Sequence, residues 1–331
     1  MSPLSERGVW IAAALAVACS APPTTKSTAE AAPQRAACAP PVKAARWRHR
    51  VRSGRLVSQL GSPRHVVTDV VVGRGQTAVV RGKFAYGTLS KDLEGEAIEL
   101  WGKQAPCRWR ALGQAITNDD GRAELALRAD AFDGPGPHEL RAYALGDLTY
   151  AEAKVWVVAP ERQAVLFDID GTLTKDDGEL LEELLGGEAE LHPGADAVAR
   201  RWANLGYLPV YITGRPYPLR ASTFAWLIEH RFPRGPVLTV DSLGDALPGE
   251  AHVGAFKLAT LQALTRAGLR FHRAYGNAST DVCAYARAGI APERTFIVGA
   301  PRAGCDAAPP PRALASYVEH LSTIGDDQRV P

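Results

Sequence analysis

The chain has 331 residues, 46% hydrophobic and 22% charged, with 38 lysines and arginines against 36 aspartates and glutamates for a formal net charge of +2. That length accommodates two domains with sizeable cores. The near balance of charge excludes the overall basic excess by which a chain binds nucleic acid, and no nucleic-acid partner is expected.

At the amino terminus, Arg7 precedes the apolar run Val9 to Ala18. Such a run is too short to span a bilayer, which takes roughly 18 apolar residues, and suits the apolar region of a signal peptide, so residues 1–18 are read as a signal. Leu15-Ala16-Val17-Ala18-Cys19 resembles a bacterial lipoprotein cleavage box, with Ala16 where those signals prefer leucine. Ordinary cleavage after Ala18 is the alternative. Either implies an exported protein of the bacterial periplasm or cell surface, and lipidation of Cys19 would anchor it to a membrane by acyl burial. The other cysteines, Cys38, Cys107, Cys283 and Cys305, allow three pairings among which sequence does not choose. No CxxC or Cys/His cluster has the spacing of a zinc site.

Residues 19–45 are dominated by Ala, Pro, Thr and Ser, the composition of a solvated tether. A basic stretch follows, with Lys43, Arg46, Arg48, His49, Arg50, Arg52 and Arg55 around Trp47. It reads either as an arginine-rich lead into a first strand with Trp47 packed inward, or as a surface for anionic headgroups. Over residues 46–160, short strand-like runs (His65 to Val72, Thr77 to Tyr86, Ala97 to Trp101, Trp109 to Thr117, Ala123 to Leu127, His138 to Ala144, Ala153 to Val158) alternate with turn signals such as Asn118-Asp119-Asp120-Gly121. The spacing predicts an antiparallel β-sandwich, immunoglobulin-like or transthyretin-like, with Trp101, Trp109 and Trp156 in its core.

From Gln163 strands and helices alternate. Strands are predicted over Ala164 to Phe167, Leu208 to Ile212, Val237 to Val240, Phe271 to Tyr275 and Thr295 to Val298, and helices over Ala195 to Leu205, Leu219 to His230, Phe256 to Ala267 and Thr280 to Ala288. This predicts an α/β domain over residues 161–322, a doubly wound parallel sheet with helices on both faces, and a tail over 323–331.

The first of these strands runs into Val165 to Thr174, VLFDIDGTLT. It places Asp168 at the carboxyl end of a buried strand, where open α/β sheets bind ligands, with Asp170 within reach of the same centre. Paired carboxylates suit phosphoryl transfer, Asp168 as nucleophile and Asp170 handling protons; an Asp-Gly turn after a core strand is the plainer reading. At the second strand end stand Thr213 and Gly214, a hydroxyl and a backbone N–H for a phosphate oxygen, or else a helix cap. Lys257 follows Phe256 at a predicted helix start, unfavourable against the helix dipole unless a phosphate is bound there; it can also be a surface lysine. At the fourth strand end, Asn277 and Asp281 are oxygen ligands suited to Mg²⁺, although a carboxylate is favoured at a helix N-terminus in any case.

Together, Asp168-x-Asp170-x-Thr172, Thr213, Lys257 and Gly276-Asn277…Asp281 resemble the four motifs of the haloacid dehalogenase superfamily. DIDGTLTKDD, FAWLIEH followed by PRGPVLT, GAFKLATLQAL, and AYGNASTDVCAYARAGI with PERTFIV resemble the catalytic domain of lipin-type, Mg²⁺-dependent phosphatidate phosphatases over about residues 163–303. TGRP at Thr213 to Pro216 departs from the serine-containing variant of animal lipins. The resemblance implies an enzyme that dephosphorylates phosphatidate or a related lipid phosphate through an aspartyl-phosphate on Asp168, with Asp170 as acid and base. It implies Thr172, Thr213, Gly214 and Lys257 on the phosphate, and Mg²⁺ held by Asp168, Asp170 through its carbonyl, Asn277 and Asp281. The gaps between strands hold no large cap, so the crevice suits large or membrane-borne substrates, and a phospholipid or membrane surface is the expected partner. A general phosphomonoesterase on soluble substrates and a phosphatidate-binding module without turnover are the alternatives.

Overall fold

The computed structural model describes residues 38–48, 54–175, 189–240, 250–299, 303–306 and 308–330. The predicted signal and Cys19 lie outside them, as do most of the tether and His49, Arg50 and Arg52 of the basic stretch.

A short helix α1 (Gly54–Ser58) leads into β1 (Val66–Val67), β2 (Val70–Gly73), β3 (Thr77–Lys83), β4 (Ala85–Tyr86), β5 (Lys91–Asp92), β6 (Ala97–Ala105), β7 (Arg108–Ile116), β8 (Arg122–Arg128), β9 (Gly136–Ala144) and β10 (Tyr150–Val158). One sheet has the order β1-β3-β8, a second β2-β10-β9-β6-β7, and β4 pairs with β5. Alternation fixes which way they face: in β8, Ala123, Leu125 and Leu127 turn inward while Glu124 and Arg128 are exposed, a period of two against a single core. That core gathers Val72, Val80, Phe84, Ile98, Leu100 and Val155 from both sheets. The sheets are not wholly antiparallel, because β2 pairs with β10 in parallel. Trp47 packs against the core from outside. A Cβ on Gly54 or Gly146 would overlap its indole, so both positions require glycine. Trp101 and Trp156 are buried, Trp156 in a core it shares with the second half rather than in the sandwich core, and Trp109 is only half-buried, under the Arg141 guanidinium 4.8 Å from its ring.

The second half comprises β11 (Arg162–Asp168), α2 (Ala195–Asn204), β12 (Leu208–Pro216), α3 (Arg220–Glu229), β13 (Val237–Val240), α4 (Glu250–Ala267), β14 (Leu269–Gly276), α5 (Ser279–Arg287), β15 (Thr295–Val298), β16 (Arg312–Leu314) and α6 (Tyr317–Leu321). Its six strands run in the order β13-β12-β11-β14-β15-β16, every pairing parallel. β11 sits where the order reverses, and its side chains feed two cores: Val165 and Phe167 one face, Ala164 and Leu166 the other. Burial on both faces explains a continuous apolar run rather than an alternating one. Trp156 and Val158 of β10 share the second of these cores with Leu166, Val210 and Leu261, so the sandwich and the α/β half meet through apolar packing.

Cys283 and Cys305 form a disulfide. The last strand β16 and helix α6 were not predicted, because three residues of strand and five of helix are too short for a periodic signal. Between β11 and β12, the described residues form the bridge of Thr174 with Leu191 and α2; residues 176–188 lie outside the described set.

Candidate active site

Asp168 ends β11 at the reversal of strand order, where crevices open beyond the carboxyl ends of a parallel sheet. The chain then curls tightly: the Ile169 carbonyl accepts the N–H groups of Leu173 at 2.8 Å and Thr174 at 3.1 Å. Gly171 takes a φ of 66°, which glycine adopts without strain. The turn brings Thr172 back over Asp168. Its hydroxyl lies 3.1 Å from Asp168 Oδ2 and 3.2 Å from Asn277 Oδ1. Tyr317 of α6 donates to the Thr172 carbonyl at 3.1 Å and holds the turn from the far side.

Lys257 arrives from α4. The prediction set it at a helix start, but α4 already begins at Glu250, so the helix-dipole argument for a bound phosphate does not apply. The reason for a lysine here is direct pairing: its buried ammonium donates to Asp168 Oδ1 at 2.6 Å and to Asp281 Oδ1 at 2.7 Å. Burial pushes the Asp168 carboxyl well above the usual carboxylate range; the neighbouring Asp281 charge adds to this and Lys257 opposes it. For Lys257 burial pulls the other way, yet the two carboxylates outweigh it and hold the ammonium protonated above its ordinary value. With Asp168 ionised, two carboxylates share one ammonium and the cluster carries an excess negative charge.

Asp170 is held separately. Thr213 Oγ1 donates to its Oδ2 at 2.6 Å, and Arg215 Nε to its Oδ1 at 2.7 Å. Both donors come from the end of β12, and Arg215 is 1% exposed although it is an arginine. Its other arm reaches Thr223 Oγ1 at 3.3 Å, which ties the site to α3. Thr213 thus meets Asp170, and Gly214 beside it is half-buried, with space for a Cβ limited by Val253 at 3.3 Å.

Asp281 braces the fourth strand end. Its Oδ2 accepts the N–H groups of Asn277 and Ala278, each at 3.1 Å, while its Oδ1 takes Lys257. A Cβ on Gly276 would lie 2.6 Å from the Asp281 Cβ, so the close approach of this loop requires glycine. With both oxygens engaged, Asp281 orients the Asn277 loop and the lysine rather than presenting an open oxygen.

Among the described residues no group of three or more His, Cys, Asp or Glu is placed to cage a metal. The oxygens of Asp168 and Asn277 converge on one hydroxyl, whose single proton serves one of them at a time. A carboxylate and an amide oxygen beside excess negative charge fit Mg²⁺, which is typically held by one or two carboxylates, waters and a substrate phosphate rather than by an all-protein cage.

Of the residues singled out in the sequence, Asp168, Thr172, Lys257, Asn277 and Asp281 form one bonded cluster, and Asp170 and Thr213 a second pair beside it. Sequence reading missed Arg215 and Tyr317. The signal for Arg215 was present: an arginine within the buried strand that carries Thr213. Tyr317 had none, since it comes from beyond the recognised motifs.

A family model described as PITM 1-3, LNS2 domain matches residues 165–299, and one described as PITM 1-3, beta-sandwich domain matches residues 63–157. The first is a lipin-like domain. Membrane-associated phosphatidylinositol transfer protein 1 of Rattus norvegicus is 35% identical over 240 residues, 71% of this chain and 18% of the relative. Membrane-associated phosphatidylinositol transfer protein 2 of Homo sapiens is 30% identical over 241 residues, 72% and 17%. Protein retinal degeneration B of Drosophila melanogaster is 30% identical over 239 residues, 71% and 18%. The chain spans less than a fifth of the length of these relatives. Among solved structures, D,D-heptose 1,7-bisphosphate phosphatase of B. bronchiseptica with magnesium and phosphate aligns with a TM-score of 0.33 at 13% identity, over 49% of this chain and 97% of that one. The relatives overturn the expected address: they are membrane-associated proteins of animals, not lipid-anchored proteins of a bacterial periplasm or cell surface. The reading of residues 1–18 as a lipoprotein signal and of Cys19 as its anchor is withdrawn.

Proposed function

We propose that this chain is a Mg²⁺-dependent phosphomonoesterase of the haloacid dehalogenase, lipin-like type that acts on the phosphate of a membrane lipid, phosphatidate first. The observation that carries this reading is the meeting of Asp168, at the end of the central strand, with the Lys257 ammonium at 2.6 Å, in a chain where Asp170 follows two residues later. The membrane and the phospholipid in the names of the relatives favour a lipid over a soluble substrate.

In this reading an Asp168 oxygen bonds to phosphorus as the ester oxygen leaves with a proton from Asp170. Water then attacks phosphorus, gives a proton back to Asp170, and releases phosphate and the Asp168 carboxylate. Lys257 balances charge on the nucleophile and, with Thr213 and Gly214, on the phosphoryl oxygens in the transition state. Thr213 can turn its hydroxyl from donor to acceptor, so it can bond Asp170 in both protonation states. Asp168 and Asn277, with the Asp170 carbonyl, would hold Mg²⁺, and Asp281 would support that set by fixing the Asn277 loop. When bound, the ion offsets the repulsion between an anionic nucleophile and an anionic substrate.

Phosphate release from phosphatidate vesicles and from a panel of soluble monophosphates, each with Mg²⁺ and with chelator, tests the proposal. Mg²⁺-dependent release from the vesicles, absent in Asp168→Asn, is the expected result. Release confined to soluble substrates sinks the lipid assignment, and release by Asp168→Asn sinks the nucleophile.

One observation favours a second reading, recognition of a lipid phosphate without turnover. Both oxygens of Asp170 accept from neighbours, one of them a buried arginine, so neither faces a leaving group until one bond opens. Mg²⁺-dependent vesicle binding with no phosphate released would assign that role.

A further inference from the structure

One buried carboxylate of the sandwich reaches the segment that holds Asp170. Asp69 lies between β1 and β2 and is 4% exposed. Among the described residues of the sandwich it accepts only the N–H of Lys154 in β10, at 2.9 Å. Its other bonds cross to the α/β half: the N–H of Val237, first residue of β13, at 3.3 Å, and the guanidinium of Arg220, first residue of α3. Arg220 makes this contact from the first turn of α3 and stays packed on that helix. Its guanidinium lies over the Phe224 ring at 4.4 Å and reaches the Glu152 carbonyl at 3.5 Å. Three residues before it, the buried ring of Tyr217 has the Arg122 guanidinium of β8 at 5.9 Å.

Arg220 and Tyr217 therefore fasten to the sandwich the short stretch that leaves β12, directly after Thr213 and Arg215. Those are the two residues that bond Asp170. Apolar packing already joins the halves through Trp156 and Val158, so cohesion alone does not call for a buried charge. A buried ion pair is a poor source of stability, and fixing one geometry among several is a role such a pair can fill.

We infer that Asp69, through Arg220, is a positioning residue of the phosphate site: the sandwich sets the end of β12 so that Thr213 and Arg215 meet Asp170. This rests on the phosphate-site reading above but not on turnover. It makes the sandwich a working part of the site rather than an appended module.

The test compares wild type, Arg220→Lys and the double variant Asp69→Asn/Arg220→Gln, which removes both charges and leaves neither buried alone. Binding of inorganic phosphate with Mg²⁺ is followed by calorimetry, phosphate release from phosphatidate vesicles separately, and thermal unfolding as control. Displacing groups by about an ångström costs up to a hundredfold, so the double variant is expected to unfold near the wild-type temperature but bind phosphate about tenfold more weakly. Any turnover should fall at least as much. Unchanged phosphate affinity and rate in a stable double variant overturn the inference. Should the double variant not fold, unchanged affinity in folded Arg220→Lys overturns it equally. Wild type that binds phosphate but releases none sinks the phosphatase reading alone, since affinity still reports the Asp69–Arg220 contact. Wild type that neither binds nor releases phosphate overturns both.

Discussion

Lys257 donates to Asp168 at 2.6 Å across a separation of 89 residues, and the same ammonium holds Asp281 at 2.7 Å. The two partners of that first bond respond oppositely to removal. Asp168 has its carboxyl raised by burial and by Asp281 against the pull of Lys257, so its ionised form is disfavoured in the fold. A raised value means that its contribution to stability is complete below the ordinary carboxylate range and is lost as pH climbs through the raised value. At neutral pH in chelator, Asp168→Asn should therefore raise the unfolding temperature while abolishing turnover, leaving Lys257 and Asp281 as a neutral pair. Lys257→Met strands two buried carboxylates. Breaking a buried pair from one side costs about 3–5 kcal/mol, and here part of the loss should return on acidification as Asp168 takes up a proton. Thermal unfolding of both variants between about pH 5 and pH 8 in chelator, above the ordinary carboxylate range, checks this. Destabilisation by Asp168→Asn comparable with that of Lys257→Met would contradict the charge argument.

Arg215 bonds Asp170 through Nε, so the geometry of the guanidinium matters as well as its charge. Lysine in that place keeps the charge and loses the fixed fork that also reaches Thr223. Arg215→Lys should lower kcat by about tenfold to a hundredfold, with KM changed far less, because it misplaces the proton-handling carboxylate and touches no substrate group. Thr213→Val keeps the side-chain shape without the hydroxyl and should act in the same direction. Steady-state kinetics on the best substrate, with circular dichroism as a control for folding, decides. A rise in KM at constant kcat would instead make Arg215 a substrate-binding group.

Much of this site was legible in the sequence because its parts stand at the ends of successive strands, each marked by an apolar run that stops at a polar residue. Asp168, Thr213 and Asn277 follow from that pattern. Lys257 joins the cluster, but the helix-start argument for it fails: its helix begins at Glu250, and the local sequence does not reveal the two carboxylates that pair with the cation. Asp281 is expected as a ligand; its bonds to two backbone N–H groups and to Lys257, which depend on side-chain direction, also brace the loop. The sandwich was foreseen from its turn spacing, but not the parallel pairing of β2 with β10, since residues 85 apart register only through the fold. Arg215, Arg220 and Asp69 read as ordinary charges. Only their burial sets them apart, and no periodicity carries it.

His320 gives the α/β half an acid-sensitive point behind the site. Trp202 Nε1 donates to the Tyr275 hydroxyl at 2.8 Å, which leaves that hydroxyl its own proton to donate to a neutral His320 Nε2, 2.9 Å away. Its surroundings favour the neutral imidazole. Burial first, then the charges of Arg273 and Arg312, lower His320 from its ordinary 6.5 to about 4. A lowered value places the full stabilising contribution above pH 6.5 and removes it as pH falls towards 4. His272, lowered likewise to about 4 by burial and by Arg273 and Arg294, adds to the same limb, as does His65 in the sandwich, lowered by burial against the pull of Asp147. Stability against urea should therefore begin to fall below pH 6.5, before the ordinary carboxylates titrate, and keep falling towards pH 4. His320→Gln, whose amide oxygen can still accept from Tyr275, should flatten part of that fall while costing little at pH 7.5 or so, where the imidazole is already neutral. Since Tyr275 stacks on Phe167 at 4.9 Å and leads directly into Gly276 and Asn277, the variant should also keep phosphate affinity to lower pH than wild type. Urea midpoints and phosphate binding across this range measure both effects. Parallel acid limbs in wild type and His320→Gln would show that the buried imidazole is not what acid attacks.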